Sequence, residues 1–202
     1  MVSNLAKRKI GLLGGSFNPF HNAHLRLATT ALSQLTLDEV QLIPAGQPWQ
    51  KTVSVSAEHR LAMLKLAIQD QPQLKINTIE IERTGPSYTI DTVKNLPSDA
   101  DYYWLMGSDQ LNNFCTWRAW QNILDYVQLV VVKRPHYEVN PPQELLDTLD
   151  LNHQSLIFLD FDEIDLSSTH IRQKLLDGES VADFIHPDVL HYIQQNNLYQ
   201  SE

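Results

Sequence analysis

The chain has 202 residues, of which 43% are apolar and 19% charged, a balance typical of a globular protein and too hydrophobic for a disordered one. Its 15 lysines and arginines are outnumbered by 24 aspartates and glutamates, and the net charge of -9 argues against a protein that holds duplex nucleic acid through a general basic surface. The single cysteine, Cys115, excludes an internal disulfide and a multi-cysteine zinc site and fits a reducing compartment.

The N-terminal segment does not read as a targeting signal. Residues 7–13 are basic and then apolar, but the apolar run stops at Gly14 and Gly15 with no small-residue cleavage site, so a buried first strand is the better interpretation. No stretch approaches the ~20 apolar residues that span a bilayer. We therefore expect a cytoplasmic protein that binds neither membranes nor nucleic acid.

Strand-like and helix-like segments alternate along the chain. Strands are predicted at residues 10–13, 39–44, 74–81, 102–106, 127–132 and 156–161. Helices are predicted at 23–35, after caps at Ser56, Thr116 and Ser167, the last ending near Gly178, and from Pro187 onward. Residues 140–152 are polar and contain two prolines, and we interpret them as a surface excursion.

This alternation predicts one α/β domain over residues 1–202, Rossmann-like, with a mostly parallel sheet and helices on both faces. Its C-terminal helical part would span about 167–202. Ligands of such sheets sit beyond the carboxyl ends of the strands. The site should therefore be lined by the loops that follow Leu13, Ile43, Met106, Val132 and Phe161.

The loop after the first strand reads Gly14-Gly15-Ser16-Phe17-Asn18-Pro19-Phe20-His21-Asn22-Ala23-His24. It lacks the lysine of a phosphate loop, the G-x-G-x-x-G dinucleotide pattern and the second glycine of a serine nucleophile elbow. Zinc would need further ligands beyond His21 and His24, and no His-Glu-x-x-His helix supplies them, so no metal ligands are assigned.

The same loop can form a phosphate cradle. Glycines allow the backbone to approach a ligand closely, and the following helix directs free N–H groups to the same place. His21 and His24, three residues apart, lie on one helix face and can donate to phosphate oxygens. The alternative is that both are surface residues of an ordinary turn.

The segment resembles the G-G-x-F-[D/N]-P-x-H-x-G-H signature of the nucleotidyltransferase superfamily, with Ala23 in place of the glycine between the histidines. The resemblance implies catalytic roles for His21 and His24. It also implies an ATP site formed by Gly14, Gly15, Ser16 and Phe17.

A second motif, Leu166-Ser167-Ser168-Thr169-His170-Ile171-Arg172, opens a later helix. Hydroxyl residues there would alone be read as helix caps, but Arg172 can also bind phosphate with its forked guanidinium. The stretch resembles the [I/L]-S-S-T-x-I-R element of the same superfamily, which holds the triphosphate. That resemblance implies ATP contacts from Ser168 and Thr169 and a catalytic role for Arg172.

Three further stretches resemble bacterial nicotinate-nucleotide adenylyltransferases: residues 83–92 (G-P-S-Y-T-x-D-T), 106–111 with Trp117 (G-x-D-x-L…W), and 44–51, a Pro-rich loop ending in Lys51. Thr89, Trp117 and Ser16 would then bind nicotinate mononucleotide, with Trp117 packing on the ring. Core packing is the alternative for Trp117 and the preferred reading for Trp120.

For the ATP side, the resemblance implies that Gly107 and Asp109 contribute, Asp109 at the ribose or the metal. Arg134, at a strand end, is a weaker candidate for ATP binding. Lys51 would join the catalytic cations.

The implied reaction joins ATP and nicotinate mononucleotide into nicotinate adenine dinucleotide and releases pyrophosphate, with Mg²⁺ as cofactor. The attacking phosphate is already anionic, so the site needs no base to deprotonate it. The site has to align two phosphates that repel each other and to neutralise the charge that develops on the α-phosphate and the leaving group. Alternatives are the amide mononucleotide or phosphopantetheine as acceptor, or a regulatory module that binds nucleotide without catalysis. The sequence does not determine the oligomeric state.

Overall fold

In the computed structural model, residues 6–48, 55–132, 138–161 and 166–200 are described. Their strands form a six-stranded parallel sheet in the order β3-β2-β1-β4-β5-β6. The strands are β1 (Arg8–Gly15), β2 (Glu39–Pro44), β3 (Leu74–Ile76), β4 (Ala100–Gly107), β5 (Val127–Val132) and β6 (Ile157–Phe158). The strand order reverses between β1 and β4, where a crevice opens at the carboxyl ends of the strands. The predicted Rossmann-like α/β fold is confirmed.

Helices cover both faces of the sheet. They are α1 (Asn22–Gln34), α2 (Ala57–Ala67), α3 (Ile79–Glu82), α4 (Thr89–Val93), α5 (Ser108–Asn112), α6 (Trp120–Ile123), α7 (Gln143–Leu151), α8 (Ser168–Leu176) and α9 (Pro187–Gln195). Buried residues of α1, α2, α8 and α9 share one core cluster, and those of α4, α5, α6 and α7 share the other. Neighbouring strand residues alternate between the clusters, as Leu12 and Leu13 do, because successive side chains point to opposite faces.

Several predicted elements match the structure closely. The strands at 39–44 and 127–132 have the predicted bounds. The Ser56 and Ser167 side chains cap α2 and α8, accepting from the backbone N–H groups of His59 (3.4 Å) and His170 (3.1 Å). Pro187 occupies the first turn of α9. Within the described residues, the helices are too short or too polar to cross a membrane.

The predicted strand at 74–81 is wrong in its second half. β3 ends at Ile76, and α3 follows. The Asn77 side chain accepts a hydrogen bond from the Ile79 N–H at 3.1 Å while its amide donates to Gln41 at 2.8 Å. This side chain-to-backbone bond turns the chain into a helix although the residues that follow are β-branched.

The helix predicted to follow a Thr116 cap is present as α6, but its predicted start and cap are wrong. Thr116 ends a 3-10 turn, and its hydroxyl donates backward to the Asn113 carbonyl at 2.7 Å. α6 starts only after Ala119, which has a left-handed φ of 48°. Trp117 therefore lies in the connection between two helical segments.

The surface excursion predicted at 140–152 contains α7. Leu145 and Leu149, four residues apart, are 0% and 4% exposed and pack in the second core cluster. Between them lie the exposed Leu146 and the polar Asp147 and Thr148, so the sequence shows no clean apolar stripe. The strand predicted at 156–161 is reduced to Ile157–Phe158.

Cys115 provides a test of this packing. Burial, together with a hydrogen bond to Glu144, raises the pKa of its thiol to about 12. A raised pKa removes thiolate at every pH below it, and the thiolate is the reactive form. At pH 8 we expect alkylation by iodoacetamide about 10²-fold slower than that of glutathione, because the higher nucleophilicity of a high-pKa thiolate offsets part of its scarcity, and a rate that keeps rising well above pH 9. The urea-unfolded chain is the control and should react as a free thiol; a native rate within about tenfold of glutathione would contradict the packing.

Candidate active site

The loop between β1 and α1 has an unusual backbone. Phe17 has a φ of 46° and the Asn18–Pro19 peptide bond is cis. A side chain at Gly15 would place its Cβ 2.8 Å from the Phe17 ring, which is 1% exposed. Glycine at this position is therefore required by the folding of the loop onto itself.

His21 and His24 form a stacked pair at the start of α1. Their ring centroids are 3.7 Å apart, and the His21 backbone N–H donates to His24 Nδ1 at 3.3 Å. Because Nδ1 accepts, a neutral His24 carries its proton on Nε2. The Phe17 and Phe20 rings pack against His24 with centroids 5.2 and 5.3 Å away. The aromatic side chains thus fix the orientation of the pair.

A cavity of about 400 Å³, here called the phosphate cavity, opens beside the histidines. It brings together ten of the residues predicted from sequence: Gly14, Gly15, Ser16, Phe17, His21, His24, Gly107, Ser168, Thr169 and Arg172. Asn18, Gln110 and Ser167 also line it. Both histidines are among the described residues that line the cavity, and Ala23 between them is not.

The second motif holds the first loop in place. Ser168 Oγ donates to the Pro19 carbonyl at 2.9 Å. Arg172 Nη1 donates to the Asn18 carbonyl at 2.9 Å, and its Nη2 donates to Thr169 Oγ1 at 3.2 Å. Arg172 therefore has a structural contact in addition to its place in the cavity wall.

A second, smaller cavity of about 120 Å³, here called the ring cavity, adjoins the first and shares Gly14, Gly15, Ser16 and Gln110 with it. Its remaining walls are Ala45, Pro48, Glu80, Ser87, Thr89, Trp104 and Trp117. Trp104 and Trp117 meet edge to face, with centroids 6.3 Å apart and planes at 83°. Thr89 and Trp117 thus lie together, as predicted, in a pocket with flat aromatic walls.

Glu80 is a site residue that the sequence analysis missed. Its side chain is 5% exposed and accepts from Thr92 Oγ1 at 2.6 Å. A Cβ at Gly46 would lie 2.2 Å from the Glu80 carbonyl oxygen, so only glycine allows α3 to approach the turn after β2. The turn-forming pair Asn77-Thr78 could have indicated that the strand ends before Ile79 and that Glu80 lies in a different element.

Arg60 was also missed, because it lies on the apolar stripe of α2. It is 1% exposed, and burial lowers the pKa of its guanidinium. Nη1 donates to the Ser16 carbonyl at 2.7 Å, and Nη2 donates to the carbonyls of Ala45 (2.7 Å) and Gly46 (3.4 Å). One side chain thus joins the loops that follow β1 and β2.

Two described candidates, Asp109 and Trp120, are not among the residues that line the two cavities. Asp109 is in the first turn of α5, and the described walls of the two cavities include its neighbour Gln110 instead. Trp120 is 6% exposed in the core, as expected. Arg118, which directly follows Trp117 in the chain, places its guanidinium 4.8 Å from the centroid of the Tyr88 ring. Lys51 and Arg134 lie outside the described residues, as does the segment directly after β5.

Comparisons with known proteins agree with this geometry. The cytidylyltransferase-like family model matches residues 12–174. The "Probable nicotinate-nucleotide adenylyltransferase" of Bordetella petrii is 50% identical over 96% of this chain and 100% of the relative. The protein of that name from Enterococcus faecalis is 40% identical over 97% of this chain and 87% of the relative. The solved structure of Plasmodium falciparum nicotinic acid mononucleotide adenylyltransferase complexed with NaAD has the same fold, with a TM-score of 0.76 at 20% identity over 95% of this chain and 97% of that chain.

The Arg60 contacts generate a stability prediction. Arg60→Met keeps much of the buried length but leaves the carbonyls of Ser16 and Ala45 without this donor, and each unsatisfied buried acceptor costs about 1–3 kcal/mol. We expect urea unfolding to show a loss of about 2–5 kcal/mol. Lys65→Met, on the exposed side of the same helix, is the control and should change stability by less than about 0.5 kcal/mol. If Arg60→Met proved as stable as Lys65→Met, the hydrogen bonds from Arg60 to the two loops would not be a source of stability.

Proposed function

This chain belongs to the cytidylyltransferase-like family and, within it, to the nicotinate-nucleotide adenylyltransferases, and from that premise we propose its reaction. The adenylyl group of ATP is transferred to nicotinate mononucleotide, giving nicotinate adenine dinucleotide and pyrophosphate. The observation that carries this assignment is the pair of cavities that meet at Gly14, Gly15 and Ser16.

Each cavity suits one end of the reaction. The ring cavity, with Trp104 and Trp117 at near right angles, offers flat apolar walls to a pyridine ring. The phosphate cavity offers hydroxyls, imidazoles and a guanidinium to a polyphosphate. A mononucleotide seated in the ring cavity would direct its phosphate toward the shared floor, where the ATP α-phosphate can meet it.

The chemistry is a displacement at phosphorus. A mononucleotide phosphate oxygen forms the new bond to the ATP α-phosphorus, and the bond from that phosphorus to the oxygen bridging to the β-phosphate breaks, so that pyrophosphate leaves with that electron pair. The nucleophile is already anionic and needs no base. The protein has to hold two repelling anions in line and stabilise the charge that develops on the leaving group.

His21, His24 and Arg172 are the described groups placed to do this. All three line the phosphate cavity, and imidazole and guanidinium N–H groups can donate to phosphate oxygens. Donors fixed in advance by neighbouring contacts need no reorganisation during the reaction, which is why such groups are effective. Lys51 as a further cation, Arg134 as an ATP contact and Asp109 at the ribose or the metal remain part of the proposal.

Magnesium would enter with ATP, bound to its phosphates, and would neutralise part of the charge of the leaving group. The described wall of the phosphate cavity carries hydroxyl and amide oxygens but no carboxylate. This set of donors fits a metal held mainly by phosphates and water. We place the reaction in the cytoplasm, in a single domain that acts on these small molecules without a nucleic-acid partner.

The test of the function is pyrophosphate release from ATP and Mg²⁺ with nicotinate mononucleotide, run in parallel with the amide mononucleotide. We expect efficient release with the acid. Equal rates with both would keep the chemistry and remove the acid preference. ATP binding without release in either case would contradict the enzyme and favour the regulatory module.

His21→Ala tests the catalytic assignment. Removing a donor to a developing oxyanion typically costs about 10²–10³ in rate, and we expect kcat for pyrophosphate release to fall by that factor. His191→Ala, on the exposed face of α9, is the control and should leave kcat unchanged. Thermal melting should show both variants folded; turnover of His21→Ala near that of the parent would contradict the role.

A further inference from the structure

Tyr199 lies beyond the last helix, and its hydroxyl reaches the first loop. Its Oη donates to Asn18 Oδ1 at 2.6 Å, across 181 positions of sequence. The tyrosine packs against the core cluster of α1, α2, α8 and α9, and burial raises the pKa of its hydroxyl, although Arg172 and Arg60 oppose the shift. The phenol therefore stays protonated and available as a donor near neutral pH.

The backbone before Tyr199 is bent to bring it there. After α9 the chain turns through two residues in the left-handed region, Asn197 with a φ of 50° and Tyr199 itself with a φ of 59°. Asparagine is often left-handed directly after a helix C-cap, but a tyrosine in this conformation costs free energy and persists only where surrounding contacts impose it. The Leu198 N–H, between them, donates to the Ile193 carbonyl at 3.0 Å and fixes the turn.

The partner of Tyr199 is buried in the loop that carries the catalytic groups. Asn18 is 2% exposed, lines the phosphate cavity, and directly follows Phe17, whose φ is also left-handed. Tyr199 holds the Asn18 side chain while Arg172 holds its carbonyl at 2.9 Å. Two residues from the C-terminal part of the chain thus fix one residue of the loop at two points.

We propose that Tyr199 is a positioning residue for adenylyl transfer: its hydroxyl holds Asn18 and, through it, keeps Phe17 and His21 in the arrangement that receives the triphosphate. The identity of the ligand rests on the proposed function. Asn18 lines the phosphate cavity and not the described wall of the ring cavity, so the effect is confined to ATP.

The experiment uses Tyr199→Phe, which removes only the hydroxyl. The matched control is Tyr192→Phe. Tyr192 lies in α9, and its hydroxyl likewise makes a part-buried hydrogen bond, with His59 Nδ1 at 2.9 Å. Neither Tyr192 nor His59 is among the described residues that line the two cavities. Asn18→Ala and the double variant Asn18→Ala/Tyr199→Phe complete a cycle. Pyrophosphate release is measured with each substrate varied in turn, and ATP binding is measured by calorimetry without mononucleotide.

For Tyr199→Phe we expect kcat/KM for ATP to fall about 3- to 10-fold, the effect of one hydrogen bond, with KM for the mononucleotide unchanged. Tyr192→Phe should match the parent, and Tyr199→Phe should have no further effect in the Asn18→Ala background. The role would be overturned if kcat/KM for ATP fell no more in Tyr199→Phe than in Tyr192→Phe, or if both KM values rose. It would also be overturned if Tyr199→Phe kept its full effect in the Asn18→Ala background.

The binding measurement separates this inference from the proposed function. If the parent protein releases no pyrophosphate with either mononucleotide, the proposed function fails, and the dissociation constants for ATP then decide the role of Tyr199. The role is supported if ATP affinity falls about 3- to 10-fold in Tyr199→Phe and falls no further when Tyr199→Phe is added to Asn18→Ala. Equal ATP affinity in Tyr199→Phe and the parent overturns it.

Discussion

The buried guanidinium of Arg60 is the constraint on which the site depends. A cation that is 1% exposed, and whose hydrogen-bond acceptors are backbone carbonyls, can be accommodated only where the chain presents those carbonyls to it. Here they come from Ser16 and Ala45, at the carboxyl ends of neighbouring strands. Since both loops line the ring cavity, one side chain on a helix behind the cavity fixes two of its walls relative to each other.

The phosphate side is assembled from opposite ends of the chain. The Pro19 and Asn18 carbonyls accept from Ser168 and Arg172, and the Asn22 N–H donates to the Phe184 carbonyl at 2.9 Å. The strand order explains this, because α1 and the C-terminal helices share one core cluster on the same face of the sheet. The unusual backbone at Phe17 is thus enclosed by contacts that local sequence does not supply.

Features set by local physics could be predicted from the sequence. A few consecutive residues are enough to identify the apolar run at 127–132, the serine caps of α2 and α8, and the glycine-rich first loop. Residues of both sequence motifs line the phosphate cavity. Features that depend on distant partners could not be predicted. Arg60 interrupts an apolar stripe and is explained only by carbonyls on two loops, while Asn77 converts a β-branched segment into a helix by one side-chain bond. In α7 the buried leucines were outnumbered by polar neighbours on its outer face.

The shared floor at Gly14, Gly15 and Ser16 has a consequence for the end of the catalytic cycle. On the proposed function, each substrate would occupy one cavity and the dinucleotide product would span both, so that one half, when it detaches, stays at high effective concentration beside its own pocket and rebinds. Pyrophosphate would leave from one cavity alone, without this retention. The dinucleotide would then be the slower product to leave, and accumulated dinucleotide would compete with both substrates.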